Sequence, residues 1–258
     1  MYGLCWKQSR SMVLIALLMV AGSAPWLVHA QAPDASANVD ADVAPSDADL
    51  AGTNCAIGEE RFLPGDYYYC LGTQTYGQQR YAYAKKFFTT AASWASKPAQ
   101  YVLGIMALNG DHQPVNRPLA LAWLALASER PNSDFKSAYD SAYGNATAVE
   151  RQAAVQLLAN MRPIYADNTA AVRAEQRYAQ GMAMLTRMNN IGGSKYCMEG
   201  VSSLATPVTD PAMCQPVQAV VQVVDHAAVK VFEGWSGHVS VGPVQEAAVP
   251  HGAAQSGN

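Results

Sequence analysis

The sequence predicts an all-α chain: a short solenoid of antiparallel helical hairpins, followed by a small mixed or irregular C-terminal portion. Three observations carry this. Apolar residues recur at helical spacing from about residue 64 to residue 189, in pieces broken by Gly and Pro. A residue pattern inside those pieces recurs after thirty-two to thirty-six positions. On either side the helical spacing weakens, and Ala, Asp, Pro, Gly and Ser take over.

Taken in order, residues 1–30 have the layout of an export signal. Lys7 and Arg10 precede an apolar run from Met12 to Val20, and Val28, His29 and Ala30 form a small-residue exit. That run is about half the length needed to cross a bilayer, so cleavage after Ala30 is the expectation and an uncleaved anchor the alternative. Cys5 lies ahead of the apolar run, which argues against lipidation. Cleavage removes two basic residues and no acidic one, leaving fifteen Lys and Arg against twenty Asp and Glu. An acidic balance of this kind argues against nucleic-acid binding, which needs clustered positive charge.

Residues 31–52 are rich in Ala, Asp, Pro and Ser and carry no aromatic side chain. They cannot bury enough apolar surface to offset their ordering entropy, and are expected to be a disordered acidic linker. Helices are expected over 64–76, 80–96, 98–109, 117–129, 133–143, 146–160 and 168–188, within a repeat domain spanning 53–190. Gly77, Gly110 and Gly144 stand where helices should stop, Pro118 suits a first turn, and Pro98 and Pro131 fall between helices. In the last piece Val172, Tyr178, Met182, Leu185 and Met188 outline an apolar stripe, as expected of a capping or bridging helix.

Residues 191–258 form the C-terminal portion. Over 216–233, Val217, Val220, Val221, Val224, Ala228, Val231 and Phe232 follow helical spacing, whereas the abundance of valine favours a strand. Period-two alternation breaks at Asp225, which tips the reading to helix. A short strand is expected over 237–244 and a frayed tail over 250–258.

The repeat is legible in two units. Leu71-Gly72 and Leu103-Gly104 sit inside first helices, and the stripe Ala84, Phe87, Phe88, Ala91 returns in the second helix of the next unit as Ala120, Trp123, Leu124, Ala127. Glycine in a helix costs about 1 kcal/mol relative to alanine, a cost that close helix approach can offset, with aromatics such as Phe88 and Trp123 filling the wedge between hairpins. This pattern resembles the Sel1-like repeat, a relative of the tetratricopeptide repeat, which runs A-x-x-x-L-G-x-x-Y-x-x-G, a loop, and A-x-x-W-Y-x-x-A-A. The likeness is good for 99–127, fair for 68–92 and poor beyond. A third unit over 138–161 has the right length but lacks the Leu-Gly pair and the aromatic stripe, as a terminal repeat would. The resemblance implies a right-handed solenoid that recognises a protein partner. Some exported members of this family bridge the two helices of each repeat with a cysteine pair; here Cys70 lies beside the first Leu-Gly, with no cysteine in the following helix.

Four cysteines follow the signal: Cys55, Cys70, Cys197 and Cys214. An even number in an exported chain favours disulfides. Three connectivities are open; pairing Cys55 with Cys70 and Cys197 with Cys214 closes loops of about fifteen residues, each able to stabilise by roughly 3 kcal/mol. A zinc site is the alternative, but it lacks a CxxC pair and histidines at ligand spacing.

No nucleophile-base motif, metal-ligand cluster or phosphate-cradling loop stands out, so neither catalysis nor a cofactor is expected. Gly192, Gly193, Ser194 and Lys195 lack the leading glycine and preceding strand of a phosphate loop. The expected function is an exported, non-catalytic interaction module, periplasmic or secreted, with a protein partner and no stable membrane insertion after signal cleavage. Tyrosines crowd the first repeat, and Tyr68, Tyr76, Tyr81 and Tyr83 are the candidate partner contacts. The alternative is an envelope hydrolase or glycan-binding protein, which would require Asp225, His226 and His238 to converge in one pocket.

Overall fold

The computed structural model describes residues 44–192, 194–198 and 213–238. The expected signal, most of the acidic linker, most of the strand expected over 237–244 and the tail lie outside the described residues. Among those described the chain is mostly helical, with one two-stranded ribbon.

The order is α1 (Asp47–Ala51), a 3-10 turn (Glu59–Arg61), α2 (Pro64–Gly77), α3 (Tyr81–Ser93), α4 (Lys97–Asn109), α5 (Arg117–Ala127), α6 (Lys136–Gly144), α7 (Ala148–Tyr165) and α8 (Ala170–Asn190). It ends with β1 (Lys195–Tyr196), β2 (Gln215–Pro216) and α9 (Val217–Val231). The helix over 216–233 is thus observed. Residues 47–51, read from composition as linker, instead form α1, because Ser46 and Asp49 complete a reciprocal capping box and the helix packs on α2.

Helices α2 and α3 pack as one hairpin and α4 and α5 as the next, with α3 against α4 between them. Pro appears in the first turns of α2, α4 and α5, where its missing N–H costs nothing. The two Leu-Gly glycines do equivalent work. A Cβ on Gly72 would lie 2.5 Å from the Phe88 ring, and one on Gly104 would lie 2.8 Å from the Leu124 side chain. Each glycine therefore admits a side chain from the second helix of its own hairpin. Phe88 fills space within its hairpin; Trp123 reaches outward, meeting Tyr165 of α7 edge-on at 4.7 Å between ring centres. The turns after α3 and α5 share a left-handed residue, Ala95 at φ 62° and Asn132 at φ 55°, a second repeated feature with no repeated residue type behind it.

Beyond α5 the pattern loosens. The main packing of α7 is along α5, and α6 also lies on α5; Ala142 and Ala154 join Leu121 and Leu124 in a small cluster. Thr147 and Glu150 start α7 with a capping box.

The C-terminal portion then returns to the residues that lead into α2. Val217, Val220, Val224 and Ala228 form one buried face of α9, and they share a core with Leu185 of α8, Tyr196, Met198 and the Phe62-Leu63 step that precedes α2. Helix α8 crosses that step at Gly181, where a Cβ would meet the Phe62 ring at 2.4 Å. Of the stripe expected on α8, Leu185, Tyr178, Met182 and Met188 reach this core, while Val172 is exposed. Burying Phe62 alone is worth about 1.5–3 kcal/mol.

Both sequence-local cysteine pairs come together. Cys55 and Cys70 form a disulfide with Cα atoms 5.6 Å apart, and Cys197 pairs with Cys214 at 4.6 Å. The first ties the segment entering the array onto α2, and the second closes the loop that the β1–β2 ribbon pins at its base.

Candidate partner-binding groove

Within α2, Tyr69, Thr73 and Tyr76 stand four and three residues apart, which places them on one face of the helix. Within α4, Tyr101, Val102, Ile105 and Met106 do the same. These two faces border a groove of about 240 Å³, with Phe88 of α3 also lining it, Leu50 of α1 on the α2 side, and Asp111 after the α4 terminus. Gly110 makes that terminus possible by taking φ 73° in the αL position, where other residues are strained. Asp111 is the one charged residue among the lining side chains.

The polar end of the groove is tightly arranged. The Tyr76 hydroxyl donates to the Asp111 carboxylate at 2.6 Å, and Asp111 lies 3.2 Å from Nε2 of His112. The His112 ring stacks face to face on Tyr81, and Tyr81 meets Tyr76 edge-on with ring centres 5.0 Å apart. Burial, and the hydrogen bond to an acceptor that is already negative, push the Tyr76 phenol well above its ordinary range, so it stays a donor. What remains open is apolar area with a fixed hydroxyl-carboxylate pair at one end. That suits an aliphatic or aromatic side chain with an adjoining polar group.

The four candidate tyrosines do not form one surface. Tyr76 lines the groove and Tyr81 supports it through His112. Tyr68 is part-buried and stacks on Phe87 between α2 and α3. Tyr83 is exposed on α3, with Arg80 and Lys86 over its ring. Sequence reasoning missed Ile105, Val102 and Met106, which read as ordinary core positions of α4; Met106 is indeed buried, and the separation of α2 from α4 leaves Val102 and Ile105 part-buried at the groove. Tyr69 and Tyr101, which belong to the same tyrosine-rich stretch, also line the groove. Their i, i+4 and i, i+7 spacing with Thr73, Tyr76 and Ile105 was the available signal.

Asp225, His226 and His238 are split. His238 pairs with Glu175 through Nδ1 at 2.9 Å and stacks on Phe232, and Tyr178 donates its hydroxyl to Asp225 while its ring faces His238. His226 points elsewhere, into a cleft beside Lys230 and Pro131. The three do not meet in one pocket, so the constellation required by a C-terminal hydrolytic site is not assembled. Among the described residues no three His, Cys, Asp or Glu side chains gather as metal ligands.

A buried polar network at the opposite rim was also missed. Lys97 is 5% exposed, and its ammonium donates to the Leu126 carbonyl at 2.8 Å and contacts Asp167 at 3.0 Å and Glu129 at 3.2 Å. Arg130 bonds Asp167 at 2.9 Å and also the carbonyls of Val231 and Glu233, holding the end of α9 to the array. Every strong donor here has its acceptor, so the network is structural in character. Comparison of the chain with protein-family models, curated proteins and solved structures finds no match.

Proposed function

We propose that this chain is an exported, non-catalytic binding module built on Sel1-like repeats, and that the groove between α2 and α4 holds an apolar side chain from a segment of a partner protein. The observation that carries the reading is the groove itself: a concave row of part-buried tyrosine and aliphatic side chains between α2 and α4, with a hydroxyl-carboxylate pair at one end. Tyrosine at its rim adds contact area at low entropic cost. The two cysteine pairs, and the absence of any described helix long and apolar enough to cross a membrane, are compatible with an extracytoplasmic setting. The Gly72–Phe88 and Gly104–Leu124 contacts, equivalent in two successive hairpins, support the repeat reading.

Photo-crosslinking tests it. A benzophenone side chain placed at Val102, in the groove, should capture one protein in the producing cell that the same side chain at the exposed Val155 of α7 does not. Identical capture patterns at the two positions would remove the groove as the binding site.

A further inference from the structure

One end of the groove is walled by a residue of α1. Leu50, the single large apolar side chain of α1, lines the groove alongside Tyr76 and Asp111. The rest of α1 is two aspartates and two alanines, of which only Ala51 is part-buried, so Leu50 is the helix's one large side chain at the groove.

Several features hold it there. Gly77, at the end of α2, lets the backbone of α1 lie directly on it: a Cβ at this position would stand 2.3 Å from the Ala51 nitrogen and 2.5 Å from the Asp47 carbonyl oxygen. Gln74 donates to the Thr53 carbonyl at 2.7 Å, and the Cys55–Cys70 disulfide fixes the following residues to the same helix. Against this, α1 is five residues long. A helix so short has almost no stability of its own, because nucleation alone is unfavourable, and its main packing partner is α2. It is docked, tethered and marginal.

We propose that α1 is an intramolecular occupant of the binding groove, and that a partner uses the whole groove by presenting an aliphatic side chain on a turn of helix that displaces Leu50. The proposal rests on the groove being the binding site. A tethered competitor weakens an incoming ligand in proportion to the fraction of time the site is covered, and cover for nine-tenths of the time costs about tenfold in affinity. The disulfide shortens the tether and keeps its effective concentration high.

The probe is a fluorescein-labelled peptide with the sequence of residues 45–53, titrated by anisotropy against the full exported chain and two variants. Leu50→Ala empties the site. Adding Gly77→Ala to it closes the α1 backbone seat to the tethered helix and to the peptide alike, without altering any groove side chain. Leu50→Ala is expected to bind the peptide about tenfold more tightly than the unaltered chain does, the double variant is expected to lose that gain, and a peptide with alanine in place of its leucine should not bind Leu50→Ala. Equal binding to the unaltered chain and Leu50→Ala, no binding to either at millimolar peptide, or an undiminished gain in the double variant would overturn the proposal. In those cases α1 is a fixed cap. Crosslinking at Val102 separates the two failures: a specific partner captured there keeps the groove as the site and removes only the role of α1, whereas loss of both removes the groove.

Discussion

Gly72 and Gly104 set the hairpin geometry through what they lack. Gly72→Ala should improve helix propensity by about 1 kcal/mol, yet its Cβ would press into the Phe88 ring, which is 2% exposed and packed in the hairpin core. Overpacking of this sort costs about 1–3 kcal/mol, so the variant should be less stable in urea denaturation. Phe88→Leu added to it should recover part of the loss, because the two positions are in contact and couple. Glu59, beside the first repeat, carries a different signature. Burial, with help from the nearby Asp66 and Glu60 carboxylates, raises its carboxyl to about 8. The folded chain then holds a proton that the unfolded chain loses near its ordinary value of 4.5, so this group's contribution to stability falls as pH rises through that window. Burial raises Asp66 as well, with Lys230 opposing the shift. Glu59→Gln should therefore match the unaltered protein at pH 5 and exceed it in urea midpoint at pH 8. A gain of equal size at both pH values would show that the carboxyl is not held protonated.

At the scale of elements, the Cys55–Cys70 disulfide has two jobs that one experiment separates. Closing a loop of fifteen residues is worth about 3 kcal/mol in the chain-entropy account. Replacing both cysteines with serine should lower the melting temperature by several degrees. Faster amide exchange should appear mainly in α1 and the 3-10 turn, the elements upstream of α2, and not in α5 or α7. Uniform acceleration across the array would mean that the bridge acts on global stability alone. The periodic pattern matches most helices to within a few residues, because in α4 and α5 capping residues, prolines and apolar faces all agree. It failed at α1, where composition said linker. The capping box was present in the sequence, but five residues have no periodicity to detect, and docking on Gly77 supplies what the segment cannot.

At the scale of the molecule, α8 and α9 turn an open array into a closed one. Phe232 is 3% exposed and sits in the same core as Phe62, which lies some 170 residues earlier in the chain. In an open solenoid each repeat answers only to its neighbours and unfolding can proceed from one end. Here the Phe62-Leu63 step that leads into α2 shares a core with the last helix, and the two should unfold together. Phe232→Ala should cost about 3–5 kcal/mol, and helix content and tryptophan fluorescence should move at the same urea concentration. A separate, earlier transition confined to α8 and α9 would show that the C-terminal portion is an independent attachment.

The sequence by itself determined the all-α class, the lengths of the helices, the glycine positions that take side chains, and the local cysteine spacing. Each is fixed within a few turns of chain, by backbone preference or by an i, i+4 pattern. The tertiary structure alone decided the groove, the occupancy of its end by Leu50, and the return of α9 to Phe62. Whether Ile105 is core or surface depends on how far α4 stands from α2, and no local pattern encodes that distance. The ion network of Lys97, Glu129, Arg130 and Asp167 is likewise built from residues up to seventy positions apart, each of which reads as ordinary surface charge until long-range packing removes the water around it.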